Sequence, residues 1–143
     1  MEALQPVSKA STVSNDVAES EFNRWCEAMD LDIDEKYMSE DDLESFQSQK
    51  RRIIRYMERG AVVINGEGEA VLKPVKADHL DEITFHERTG STIMAADKRK
   101  KNDSAGKMYA MIAEMTGLAP AQITKLKGSD IKVAEAIFTL LMT

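Results

Sequence analysis

The sequence predicts an α+β fold, with a small antiparallel three-stranded sheet between N-terminal helices and a C-terminal helical cluster. Apolar residues recur at helical spacing before residue 60, change to an extended pattern over residues 61–86, and return to helical spacing after residue 90. No segment repeats. We divide the chain into a disordered arm over residues 1–15, a two-helix segment over residues 16–60 and an α+β domain over residues 61–143.

The arm, residues 1–15, is rich in Ser, Thr, Ala and Asn and has no apolar period. Such a segment does not bury enough apolar surface to offset the entropy lost on ordering, so we expect disorder. A helix is predicted from about Val17, with Asn15 or Asp16 as its N-cap. Its apolar face, at positions i, i+3, i+4 and i+7, consists of Phe22, Trp25, Cys26 and Met29.

A second helix is predicted after an acidic connector over residues 30–38. Ser39 followed by Asp42 has the pattern of a capping box, and Gly60 is positioned to end the helix after Arg59. Acidic residues at the front and arginines at the back complement the helix dipole. The apolar stripe of this helix consists of Leu43, Phe46, Ile53, Ile54 and Met57.

The sheet is predicted from a change to extended periodicity after Gly60. Residues 61–64 and 70–72 are apolar and flank the turn sequence Asn-Gly-Glu-Gly of residues 65–68, which predicts a β-hairpin. Residues 82–86 alternate cleanly and place Ile83 and Phe85 on one face, which predicts a third strand.

Helices are predicted again in the C-terminal third of the chain. A short one contains Ile93, Met94 and Ala95, and a longer one is capped by Asp103 or Ser104 and ends at Gly117. Pro120 suits the first turn of another short helix, and Ser129 is the predicted cap of the last one. The apolar stripes of the two longer helices are Met108, Met111, Ile112 and Met115, and Ala134, Ile137, Phe138 and Leu141.

Composition indicates one globular core in a cytosolic protein. The 143 residues are 43% hydrophobic and 31% charged, and the hydrophobic set includes 9 Met, whose flexible side chains tolerate irregular packing. The single cysteine, Cys26, excludes an internal disulfide framework and fits a reducing compartment. The N-terminus does not resemble a signal peptide, and no apolar run approaches the 18 residues or so of a membrane span. We therefore expect neither secretion nor a membrane partner.

The charge distribution disfavours nucleic-acid binding. The net charge is -6, and all of it lies in residues 1–60. Such a chain repels phosphate backbones at long range. The arginines near the end of the second helix are explained by its dipole, and the basic loop of residues 98–101 has no aromatic neighbours on which bases stack. We therefore expect no nucleic-acid partner.

No set of residues is spaced for catalysis or metal binding. Asp30, Asp32 and Asp34 imitate the start of a calcium loop, but Glu35 stands where that loop needs Gly and Asp41 where it needs Glu. Two histidines and one distant cysteine do not form a metal set, and no nucleophile elbow or phosphate-binding loop is present. The sequence therefore predicts a binding or assembly protein without enzymatic activity, cofactor or metal.

The chain has more apolar helix faces than a short domain obviously needs. One interpretation is that all of them face one core, and the other is that some contact a partner helix lying in a groove. The candidate partner contacts lie on the first, central and last helices: Phe22, Trp25, Met111, Met115, Ile137, Phe138 and Leu141.

Several C-terminal segments resemble those of a known protein family. Residues 82–89 (Glu-Ile-Thr-Phe-His-Glu-Arg-Thr), residues 112–118 (Ile-Ala-Glu-Met-Thr-Gly-Leu), Ile123 to Leu126 and the apolar last helix resemble the tail assembly chaperones of P2-like and Mu-like tailed phages. Those proteins have an extended Leu/Ile-Thr-x-x-Glu-Pro-Thr segment, a Leu-Thr-Gly-Leu helix end and a closing helix. The resemblance covers residues 61–143, with Arg88 where the family has Pro and Met115 where it has Leu.

The resemblance implies a chaperone that coats the tape measure protein and helps tail tube subunits to polymerise, without cofactor or catalysis. Its partners would be these two tail proteins, in the host cytoplasm, with self-association left open. The alternative is a virion structural protein, such as a head–tail joining, minor capsid or tail component. A third hypothesis is a small regulator that binds a host protein.

Overall fold

The computed structural model describes residues 12–143, and within them the α+β class is confirmed. Two helices precede a three-stranded sheet, and four helices follow it. The elements are α1 Asn15–Ala28, α2 Glu40–Glu58, β1 Val62–Ile64, β2 Ala70–Leu72, β3 Ile83–Phe85, α3 Gly90–Asp97, α4 Ser104–Thr116, α5 Pro120–Thr124 and α6 Ser129–Leu141. The predicted arm lies outside the described residues except for its last four, and the last of these, Asn15, is the first residue of α1.

Most helix ends lie where local capping chemistry predicts them. The Ser39 hydroxyl accepts a hydrogen bond from the Asp42 N–H at 3.1 Å, and the Asp103 carboxylate accepts one from the Gly106 N–H at 3.0 Å. Gly117 ends α4 in the left-handed region, at φ 73°, and Pro120 begins α5.

Two predicted caps are wrong by one residue. Ser14, rather than Asn15 or Asp16, caps α1, because its hydroxyl accepts from the Val17 N–H at 3.3 Å. Gly128 occupies the cap position of α6, and Ser129 is already helical. The Ser129 hydroxyl is instead bonded to another helix, at 2.6 Å from the Tyr56 hydroxyl.

The sheet is an antiparallel meander in the order β1-β2-β3. Val63 pairs with Val71, and Val71 pairs with Thr84. The hairpin turn is held by Asn65, whose side-chain oxygen accepts from the N–H groups of Glu67 and Glu69. Gly68 has φ 80°, and a Cβ there would collide with the Ala28 side chain, so the turn needs glycine both for its backbone and for its contact with α1.

One cluster of buried residues extends from α1 to α6 and includes all three strands. The Phe22 ring lies 5.8 Å from the Trp25 ring and 6.3 Å from the Phe46 ring, which joins α1 to α2. The largest fully buried side chains of this cluster include Trp25, Phe22, Phe85, Ile53, Leu72, Ile83, Ile112, Ile123, Ile137 and Leu140.

Cys26 is expected to be unreactive in the folded protein. The residue is 5% exposed, and burial raises the pKa of its thiol to about 12, against a smaller opposing effect of Lys50. The reactive thiolate is therefore almost absent at pH 8. Ellman's reagent should label the native protein very slowly and label one thiol per chain in urea. Rapid native labelling would show that α1 detaches readily.

Candidate functional site

The residues predicted to contact a partner are almost all in the core. None of Phe22, Trp25, Met115, Ile137, Phe138 and Leu141 is more than 8% exposed, and only Met111 is partly exposed. A partner reaches the six buried side chains only if the fold opens. A partner of the folded chain would therefore contact mainly other surfaces.

An apolar depression, here called the valine groove, lies between the start of α1, the end of α2 and strand β1. Its volume is about 410 Å³. Val13, Val17 and Val63 remain 40%, 49% and 38% exposed, which is unusual for three neighbouring β-branched side chains. The groove is lined by Val13, Val17, Ala18, Glu21, Met57, Gly60, Val62, Val63 and Lys73.

The rim of the valine groove is fixed by polar contacts. The Val13 N–H donates to the Glu58 carbonyl oxygen at 2.9 Å, which ties the segment before α1 to the end of α2. Glu21 accepts two hydrogen bonds from Arg24, and these hold the pKa of Glu21 below its usual value. Arg24 also donates to the Ile64 carbonyl oxygen at 2.9 Å, and so covers one end of the edge strand β1.

A second depression of about 390 Å³ is acidic. It lies beside the 3₁₀ turn Glu35–Tyr37, the start of α2 and the end of α6, and its carboxylates come from Asp32, Asp34 and Asp42. Tyr37 lines it and is 84% exposed. In the part of the chain that the structure describes, no three His, Cys, Asp or Glu side chains come close enough to hold a metal ion.

A third depression, here called the basic cavity, lies between α2 and α6 and has a volume of about 280 Å³. Its cationic side chains are Arg52, Arg55 and Arg59 from α2 and Lys132 from α6, and all four are exposed. Tyr56, Ser129 and Val133 complete the lining.

A buried carboxylate holds the two helices of the basic cavity together. Asp130 is 0% exposed, and its oxygens accept from the Tyr56 hydroxyl at 2.6 Å and from three backbone N–H groups. Those donors belong to Val75, Lys76 and Ala77, at 2.8, 2.7 and 2.9 Å. Burial alone would raise the pKa of Asp130, but the hydrogen bonds outweigh it and hold the pKa below its usual value.

Sequence reasoning did not identify Asp130. An acidic residue in the first turn of a helix usually serves the helix dipole and faces solvent. Here Asp130 also accepts hydrogen bonds from the segment that follows β2. Three consecutive N–H groups of that segment do not pair with a strand and bind this carboxylate instead. The nearby Tyr56 hydroxyl has its pKa raised to about 12, first by burial and then by its hydrogen bond to Asp130.

The comparisons with known proteins identify a family for the C-terminal part of the chain. Residues 73–143 match the family model of phage tail assembly chaperone proteins, E, or 41 or 14. The match begins just after β2, so it is shorter than the resemblance over residues 61–143. No curated protein and no solved structure matches the chain significantly.

Among residues 12–143, no helix is long and apolar enough to cross a membrane.

The family match over residues 73–143 confirms the resemblance seen in the sequence and supports a role in phage tail assembly. The C-terminal part of this chain, residues 73–143, is therefore similar to the phage tail assembly chaperones.

Proposed function

We propose that this protein is a non-catalytic tail assembly chaperone that binds the tape measure protein and assists tail tube assembly in the host cytoplasm. The observation that carries the proposal is the family match over residues 73–143. The fold adds a surface of suitable chemistry, because the valine groove exposes apolar side chains between α1, α2 and β1. An apolar stripe of a helical partner fits such a groove.

Two substitutions in the groove test this proposal. Replacing Val17 and Val63 together with Asp places two carboxylates in the groove while leaving the core untouched, since both residues are partly exposed. Charges at an apolar contact should weaken binding by about 2 kcal/mol or more, which is over tenfold in Kd. The readout is the soluble fraction of the tape measure protein from the same phage when the two proteins are co-expressed.

The matched control replaces Ile93 and Met94 with Asp. These residues are 41% and 66% exposed on α3, outside the groove. Wild type and control should keep the tape measure protein soluble, whereas the groove variant should not, with similar melting temperatures for all three. If wild type gives no gain in solubility, the chaperone proposal is wrong, and if both variants fail equally the groove is not the contact.

The composition of finished particles separates the chaperone from the virion structural alternative. A chaperone leaves its client, so we expect mass spectrometry of purified virions to find this chain far below the copy number of the tail tube subunit. A stoichiometric amount would overturn the chaperone proposal in favour of a structural component.

A further inference from the structure

The cations of the basic cavity are not paired with carboxylates of the residues that the structure describes. Among residues 12–143, none of its four cations forms an ion pair: Arg52 reaches only the Gln49 side chain, at 3.5 Å, and the Arg59 guanidinium lies 5.2 Å from the centre of the Tyr56 ring. The neighbouring carboxylates are occupied elsewhere. Asp130 is buried with four donors, and Glu58 accepts from the Asn15 amide at 2.8 Å.

Helix dipoles explain the positions of only some of these cations. Arg55 and Arg59 lie near the C-terminus of α2, where a cation is favourable. Lys132, in contrast, is the fourth residue of α6, near the end where the dipole disfavours a cation. The chain has 25 acidic residues and a net charge of -6, yet none of the acidic residues within 12–143 lines the cavity.

We propose that the basic cavity binds the carboxylates of an acidic helical segment in a partner protein. Arg52, Arg55 and Arg59 are spaced by three and four residues, so they form one row along α2. A partner helix with Glu or Asp at i, i+3 and i+7 presents carboxylates at the same spacing. Each guanidinium fork matches a carboxylate in a bidentate pair, and Lys132 adds a point charge from the opposite wall.

The dimensions and surroundings of the cavity favour a protein over a nucleic acid. The arginine row spans only about 10 Å, from the helical rise over seven residues, which is short for a track of phosphates. Tyr56 is 3% exposed and offers no ring face for base stacking. The acidic depression and the net negative charge repel a long polyanion, whereas a local carboxylate cluster on a helix avoids them.

The inference rests on the proposed function in one respect, namely that the partner is a tail assembly protein. Its test uses a synthetic peptide, so that the result does not depend on which protein the partner is. The probe is a fluorescein-labelled, Ala-rich peptide of about 20 residues, long enough to be helical, with Glu at i, i+3 and i+7. Fluorescence anisotropy at low salt should show binding to the full chain. A peptide with the same number of Glu residues spread around the helix should bind at least about fivefold more weakly, because its carboxylates do not align with the row.

The test variant replaces Arg52 and Arg55 with Gln, and the control replaces Lys100 and Lys101 with Gln. Each removes two exposed cations, so the change in net charge is the same. The cavity variant should weaken peptide binding at least about tenfold, as expected when charge-assisted pairs are lost, and the control less than about twofold. If the double variant melts at a lower temperature than wild type, the single variants Arg52→Gln and Lys132→Gln test the two walls separately.

Three results would overturn the inference. They are absence of peptide binding, an equal loss of binding in the control, and tighter binding of a single-stranded oligonucleotide of equal charge. None of these depends on the solubility assay with the tape measure protein. If the protein solubilises the tape measure protein but does not bind the acidic peptide, the proposed function stands and only the proposed role of the basic cavity is wrong.

Discussion

The variant Asp130→Ala should lose at least about 3 kcal/mol of unfolding free energy, because the substitution leaves one hydroxyl and three backbone N–H groups without their acceptor. That is a large part of the 5–15 kcal/mol or so that stabilises an ordinary domain. Urea unfolding followed by circular dichroism measures it. The exposed Asp78, just beyond the same segment, provides the control, and Asp78→Ala should stay within about 0.5 kcal/mol of wild type.

The same carboxylate should make stability depend on pH in the acid range. The folded pKa of Asp130 is lowered, so its contribution is complete above the unfolded pKa of about 3.9 and is lost as the pH falls through the folded pKa. Below about pH 4, wild type should therefore lose stability more steeply than Asp130→Asn. Parallel pH profiles for the two proteins would mean that the carboxylate is not held in its ionised form by these donors.

A charge at Ile137 should abolish cooperative folding. Ile137 is 0% exposed on α6, and Ile137→Asp would either bury an unpaired carboxylate or force the helix away from the core, at a cost of several kcal/mol. Phe138→Asp should have a similar but smaller effect, since Phe138 is 8% exposed. Circular dichroism and thermal melts provide the measurement.

The neighbouring Thr139 is the control for both substitutions. It is exposed on the same helix but lines the acidic depression, so the control is Thr139→Asn, which has the size of Asp without its charge and should leave the melting temperature nearly unchanged. A well-folded Ile137→Asp protein that failed only in partner binding would contradict the core position and restore Ile137 as a partner contact.

Local chemistry explains why the elements were predictable from the sequence. The Ser39 cap, the Asn65–Gly68 turn and the left-handed Gly117 each depend on residues a few positions apart, and such patterns are visible in the chain itself. The alternation of Ile83 and Phe85 likewise reports a strand with one buried face.

The candidate site was harder to predict, because apolar spacing shows which face of a helix is apolar but not what covers it. Trp25 and Ile137 have the pattern of contact residues, yet the sheet and neighbouring helices bury them. The valine groove and the basic cavity each combine residues distant in sequence, such as Val17 with Val63 and Arg55 with Lys132. Only the packing of the elements brings those side chains together.

The boundary of the family match lies inside the single buried core of the described residues. Strand β3 lies inside the matched residues and pairs with β2, which lies just before them. Asp130 is also inside, whereas the Tyr56 hydroxyl that donates to it is outside. Residues 73–143 alone would leave a strand without its pairing partner and a core without α2. The N-terminal segment is thus part of the structural unit on which the family-matched residues depend.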